Sequence, residues 1–357
     1  MLKFILNSSQ NFKIFNLYIM NKTITFFLIG IIFFSINCDT KREALGADNE
    51  IRVICSNIDE KIIKSYLSQI FSDTLFSPEP EPYYQLKFST PETYNQLKKQ
   101  SKVIVAAVNR DRGNPGLKLV ERILPNENLK KTLTEEPVIL MRNVYAKNQL
   151  FMVINAISET ILNETIQSKK NAFRKEYNDQ FISRQNKYLG ERDRNISLED
   201  SIFNDHGWEM NIPWGWISIK NIKDSNFVWL GKEMPFQWIG VNWINGDYVS
   251  TMDKLEVGRY IWDWPKKFYG NIQFNDYKFN LDETSFNGST AWRSKGVWET
   301  IDKLDPKGGP FCSYLFYDNI TDRTFYINYL IHHPGNDKSI YMRKLDQVVR
   351  SINTNIK

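Results

Sequence analysis

Apolar and polar positions repeat along this chain with two periods, and each change of period marks an element. Glu50 to Cys55 reads as a strand. Ile58 to Phe71 then places Ile58, Ile62, Ile63, Tyr66 and Ile70 at helical spacing, with Asp59 and Glu60 complementing the dipole of the first turn. The segment Ser77-Pro78-Glu79-Pro80-Glu81-Pro82 admits neither a helix nor a central strand and is expected to be a rigid spacer. Tyr83 to Phe88 resumes as a strand, and Thr90-Pro91 starts a short helix through Tyr94 to Lys99. The unbroken run Val103 to Val108 predicts a central strand buried on both faces. Asn109 to Pro125 reads as loop, Val138–Met141 and Leu150–Asn155 as strands. Ser158 opens a long helix to about Tyr188, with Ile161, Ile166, Phe173, Tyr177 and Phe181 inward. This order predicts an N-terminal α/β domain over residues 50–190.

Gly190 to Asp205 is charged and strand-poor, which marks a domain boundary. The pattern from His206 predicts strands at Trp214–Lys220, Phe227–Gly231 and Gln237–Trp243, then a helix around Met252–Lys267. Strands Ala291–Thr300, Phe311–Asp318 and Arg323–His332 and a terminal helix Lys338–Ile352 follow. All ten tryptophans fall between Trp208 and Trp298, so residues 206–357 form a Trp-rich α+β domain. The fold class is therefore α+β, with two α/β-type domains, the second an antiparallel sheet with packed helices.

A different pattern precedes both. Lys22 leads an apolar run from Ile24 to Phe34 that ends at Cys38, after which the chain turns polar. A basic lead, an apolar core of about 7–15 residues and a processing point define a secretory signal. A cysteine at that point defines a lipoprotein signal with lipid on Cys38. Residues 1–38 are read as this signal, with translation expected to start at Met20, and 39–49 as a tether. Asn37 departs from the small residue usual before the cysteine, and the apolar core is short for a spanning helix.

Charge and cysteines refine the picture. The formal +5 includes Lys3, Lys13 and Lys22 of the signal; without them 43 basic residues face 41 acidic ones. That balance excludes a nucleic-acid binder and a polybasic membrane-surface protein. Cys55 and Cys312 sit in apolar strand-like runs and are expected to pack as small hydrophobes rather than to pair.

Several segments, in order, resemble a domain-of-unknown-function family of envelope lipoproteins known mainly from Bacteroidetes. They are Ser77 to Tyr83, Ile212-Pro213 followed by Asn226-Phe227-Val228-Trp229-Leu230, and Gly296-Val297-Trp298-Glu299. Gly308-Gly309-Pro310-Phe311 and Tyr341-Met342-Arg343-Lys344-Leu345-Asp346 complete the set. Lys295 departs from the arginine of the family pattern, and the loop before Gly308 is longer. The resemblance implies lipid anchoring and a shared fold, and no reaction.

No motif supplies a reaction either. The three histidines include His332-His333, whose neighbours on a strand point to opposite faces, and no Cys/His spacing fits a zinc site. There is no Gly-x-Ser-x-Gly elbow, and Gly308-Gly309-Pro310 lacks the lysine and helix of a phosphate loop. Catalytic residues, metals and cofactors are accordingly expected to be none. On the strand Ala291–Thr300, alternation puts Trp292, Ser294, Gly296 and Trp298 on a face packed under a helix. Arg293, Lys295, Val297 and Glu299 take a solvated face. Trp214 and Trp216 share a face, whereas Trp262 and Trp264 lie about 200° apart on a helix, so one must leave the core. Trp214, Trp262 and Trp264 are thus the candidate ligand-binding residues, because an exposed indole suits sugar or protein contact.

The expectation is a lipid-anchored envelope protein, on the outer rather than the inner membrane and facing the periplasm or outside. It binds an envelope protein or a glycan without catalysis and takes no nucleic acid. A hydrolase of an envelope glycan or lipid would instead gather Glu299, Asp302, Arg343 and His332 in one cleft. A third reading is a scaffold that holds its partner through the long helix of the first domain.

Overall fold

The computed structural model describes residues 41–354 apart from Pro78, Glu135, Arg192 and Asp193. The signal and Cys38 lie outside the described residues.

The first domain is built on a five-stranded sheet in the order β4-β1-β5-β7-β6. Its strands are β1 (Glu50–Ile54), β4 (Gln85–Ser89), β5 (Lys102–Ala107), β6 (Val138–Arg142) and β7 (Leu150–Asn155). Only the β6–β7 pair is antiparallel. Helices α1 (Asn57–Ile70) and α5 (Glu159–Glu191) cover one face through Ile63, Leu67, Leu162, Ile166 and Tyr177. Short α2 (Tyr94–Leu97) and α3 (Pro115–Ile123) cover the other through Tyr94, Leu117 and Val120. In β5, Val103, Val105 and Ala107 enter one cluster and Ile104 and Ala106 the other, the physical reason for its unbroken apolar run.

The second domain is a seven-stranded antiparallel sheet in the order β11-β12-β13-β14-β10-β9-β8. The strands are β8 (Ile217–Ile222), β9 (Phe227–Lys232), β10 (Phe236–Asn245), β11 (Ile272–Phe286), β12 (Ser289–Thr300), β13 (Gly308–Asp318) and β14 (Arg323–His332). Helix α7 (Lys254–Phe268), opened by a capping box between Asp253 and Glu256, packs Val257, Ile261 and Trp264 on one face. The terminal helix α8 (Ser339–Arg350) packs Met342, Leu345, Val348 and Val349 on the other. The Gly308-Gly309 start of β13 has a steric origin: a Cβ at Gly309 would lie 2.1 Å from the Ile331 carbonyl oxygen.

Several elements differ from the sequence reading. The proline segment forms strand β3 (Glu79–Pro82), paired with β2 (Thr74–Ser77) in a separate two-stranded ribbon. Residues 109–125 contain α3, started by Asn114, whose side chain accepts from Gly116 N–H at 2.9 Å, and α4 (Asn126–Thr134) follows. Part of the charged stretch is α6 (Ile196–His206), and β11 went unrecognised because its face toward solvent is rich in Asn, Asp and Glu. In α5 the inward residue is Leu162 rather than Ile161. From Glu43 the expected tether is laid on the first domain: Glu43 bridges Lys147, Leu45 bridges Gln100, and Ala44 is buried.

The two domains meet along α5, α8 and the β2–β3 ribbon. Glu81 of the ribbon accepts from the Ser339 backbone N–H at 3.0 Å and pairs with Lys338 at 3.0 Å, capping a helix start that has no side-chain cap of its own. Leu75 of the same ribbon packs on the core beneath α8.

Candidate functional site

The three tryptophans expected at a binding surface part company. Trp264 is buried under the sheet with Phe227, Phe268 and Tyr269 around it, so it belongs to the core and not to a surface. Trp262 is half-buried, edge-on to Phe279 at 5.4 Å, in a shallow hollow with Leu255, Arg259 and Leu281. Trp214 is 72% exposed. Its expected partner Trp216 is buried, because the chain turns at Gly215, with φ at +83°, before β8 begins. Trp214 thus stands beside β8, the outer strand of the sheet, in which all six residues are exposed and Ile217 reaches 61%.

A second place, which the aromatic reading missed, is a cleft of about 250 Å³ where the domains meet. One wall is the sheet face under α8: Arg293 lies in register with Tyr314, and Lys295 with Cys312. The face of β12 carrying Trp298 packs under α7 as expected, but the Arg293–Lys295 face forms this wall rather than a plain solvated surface. The opposite wall comes from the first domain, through Tyr83 and Phe181, and α8 supplies Arg343, Asp346 and Arg350. Three of the segments singled out in the sequence, at Ser77–Tyr83, Gly308–Phe311 and Tyr341–Asp346, therefore converge here. Periodicity stops at element faces and does not show that these segments meet.

The polar groups of the cleft are held firmly. Asp346 accepts from the hydroxyls of Tyr314 at 2.7 Å and Tyr329 at 2.8 Å, and from Arg350 Nε at 2.7 Å. Burial works against the charge of Arg350, yet Asp346 holds the guanidinium firmly protonated, with its pKa raised. The Arg343 guanidinium lies 3.7 Å from the Phe181 ring centre and 4.6 Å from that of Tyr84. It donates to the Tyr83 carbonyl, the Tyr84 hydroxyl and Asn178 Oδ1 at 3.2, 2.9 and 3.1 Å, all neutral acceptors. Arg293 Nε is closed off from solvent and donates to no protein atom. Burial, and then the charge of Asp346, push the Cys312 thiol up to about 12, so it offers no thiolate at neutral pH. Cys312 and Cys55 are both free and buried, as expected.

Arg343 lines the cleft between the domains and Glu299, Asp302 and His332 do not, so the four do not share that cleft. Glu299 accepts from Gln273, the Asp302 backbone N–H donates to Asn271, and His332 Nδ1 lies 2.8 Å from the Gly308 carbonyl oxygen. Arg343 stays in the cleft. Among the described residues, no group of three or more His, Cys, Asp or Glu side chains could hold a metal ion. No described helix is long and apolar enough to cross a membrane.

Fold and cleft together define a two-domain α+β protein, a parallel-rich sheet joined to an antiparallel one. Comparison with known families finds a separate match for each half. Residues 44–189 match the model of a domain of unknown function, DUF8532, and residues 195–351 match that of another, DUF4837. Each half is thus similar to a domain of unknown function. No curated protein matches it. Among solved structures, a protein from Bacteroides thetaiotaomicron VPI-5482 is similar at 9% identity and a TM-score of 0.27, over 42% of this chain and 46% of that one. This chain thus spans less than half of that protein's length. The Saccharomyces cerevisiae Ran-binding protein Mog1p is similar at 12% identity, TM-score 0.29, over 42% of this chain and 92% of that one. LpqN, involved in cell envelope biogenesis of Mycobacterium tuberculosis, is similar at 10% identity, TM-score 0.26, over 41% of this chain and 82% of that one.

Proposed function

We propose that this is a lipid-anchored, non-enzymatic protein of the bacterial cell envelope, held to the outer membrane through Cys38, whose second domain binds an envelope protein along its outer strand β8. The observation that carries the binding half is Trp214, 72% exposed beside a strand exposed along its whole length. Ile217, Ile219 and Ile222 extend the apolar surface, at 61%, 38% and 41% exposure. An outer strand also presents unpaired backbone donors and acceptors, which a polypeptide satisfies by strand addition. A glycan needs a fan of polar side chains around its hydroxyls, and this row of isoleucines favours a protein partner instead. The register shift between Ser218 and Lys220, with Lys220 5.3 Å from the Trp229 ring, interrupts the edge and limits pairing to a short partner segment.

The anchoring half rests on the pattern from Met20 to Cys38. Labelled palmitate is expected to enter the native chain and not Cys38→Ser; equal labelling of the two removes the anchor. For the binding half, a photo-crosslinking residue at position 217 in intact cells is expected to capture one discrete protein. Trp214→Ser should abolish the product. Capture that survives Trp214→Ser, or none at 217, removes the partner surface. The hydrolase reading needs Arg343 in one cleft with Glu299, Asp302 and His332, and Arg343 lines a cleft that holds none of the three.

A further inference from the structure

We infer that the cleft between the domains is a binding site for a phosphate monoester. The inference starts from a charge count within the cleft. Four cationic side chains, Arg293, Lys295, Arg343 and Arg350, line it together with one carboxylate, Asp346. Asp346 is committed to Arg350 at 2.7 Å. Among the described residues, no carboxylate pairs with Arg293, Lys295 or Arg343. The cleft therefore presents three cations that form no salt bridge, with Asp282 of β11 in register opposite Arg293 as the nearest acidic neighbour on the sheet.

Arg293 and Arg343 are half-buried and Lys295 is exposed, so the cost of the gathering falls on the two guanidinium groups. Like charges repel more strongly as water is excluded, and a partly buried guanidinium loses hydration without a counter-charge. Arg343 taken alone fits a role as glue, because rings and neutral acceptors from both domains hold it. Arg293 and Lys295 do not. They rise from the sheet on the opposite wall, and the Arg293 Nε–H is sealed from solvent with no acceptor. An oxyanion seated between the walls would accept from Arg293 and from the free donors of Arg343 while neutralising Lys295. Even with Asp282 opposite Arg293, positive charge is in excess at the cleft, which fits a dianion better than a single carboxylate. The rings of Tyr83, Tyr314 and Phe181 offer an apolar rest for the organic part of the ester, and about 250 Å³ suits a small head group rather than a polymer. The cleft is distinct from the β8 surface, so each proposal fails separately.

The shared chemistry is the phosphate monoester dianion, and its source is either a soluble metabolite or the head group of a lipid. The test uses the full chain purified in neutral detergent. Calorimetry is run with glycerol 3-phosphate, with glycerol as the uncharged control, and flotation with vesicles of phosphatidylcholine with and without phosphatidic acid. Saturable binding of glycerol 3-phosphate and none of glycerol identifies a soluble ligand; binding only to phosphatidic acid vesicles identifies a head group. Either supports the site provided that Arg293→Gln and Lys295→Gln each weaken it about tenfold or more with unchanged melting temperature without ligand. Affinity should also fall below about pH 6, where a phosphate monoester loses its second charge. Binding that is absent in both arms, or that survives both substitutions, overturns the proposal.

Discussion

Lys102 offers the sharpest test of the electrostatic reasoning. It opens strand β5 with no exposed surface at all, and its Nζ donates to the Asp48 carbonyl at 2.8 Å, 5.7 Å from the Tyr84 ring centre. Burial lowers its pKa from 10.5 to about 7; the Asp48 carboxylate pulls it back, while Arg184 and Arg343 lower it further. An unfolded lysine keeps its proton to about pH 10.4. Between pH 7 and 10 the unfolded chain therefore holds a proton that the folded chain has released, and stability rises with pH by up to about 1.4 kcal/mol per pH unit. Below pH 7 both forms are protonated and the whole penalty, at most about 5 kcal/mol, is present. Lys102→Met keeps the volume and removes the charge but leaves the Asp48 carbonyl without a donor, which costs about 1–3 kcal/mol. The net expectation is a gain of about 2–3 kcal/mol at pH 6 that fades to about zero by pH 9. Urea unfolding followed by circular dichroism at both pH values measures it. A variant less stable than the parent at pH 6, or a gain equal at both, refutes the account.

Four further outcomes are expected. Trp298 is fully buried and its Nε1 donates to the Ile331 carbonyl at 3.1 Å; Trp298→Ala should cost about 3–5 kcal/mol in the same urea assay. Gly309→Ala should cost about 3 kcal/mol, since its Cβ would meet the Ile331 carbonyl oxygen at 2.1 Å. Gly190→Ala, on an exposed turn of α5 with open space around it, should instead gain up to about 1 kcal/mol; equal effects at 309 and 190 would contradict the packing. Cys55 and Cys312, both pushed up to about 12 chiefly by burial, should resist alkylation at pH 8 until the chain is unfolded. Peptide mapping that finds either one modified at the rate of a free thiol would show the burial to be wrong.

How much of this could be read from the sequence depends on where the cause lies. Val103 to Val108 was legible because a strand covered on both faces must be apolar at every position, which six consecutive residues record. Helix α3 was not, because Gly113, Pro115 and Gly116 are also turn residues. Gly116 is there for a tertiary reason: a Cβ would crowd the Ala106 carbonyl oxygen at 3.2 Å and the Ser56 amide nitrogen at 3.3 Å. Among the candidate residues, the helical angle correctly set Trp262 apart from Trp264, but strand alternation failed at Trp214 and Trp216 because a glycine turn intervenes.

By itself, then, the sequence determined the two sheet domains, the Trp-rich second half and the free, buried Cys55 and Cys312. These follow from local periodicity and composition. Only the tertiary structure decided which indoles reach solvent, that the proline segment caps a helix more than 250 residues away through Glu81 and Ser339, and that Arg293, Lys295 and Arg343 face one cleft. Periodicity reports which side of an element is apolar. Which segment covers that side, and which charges meet across the gap, is set by packing between residues far apart in the chain.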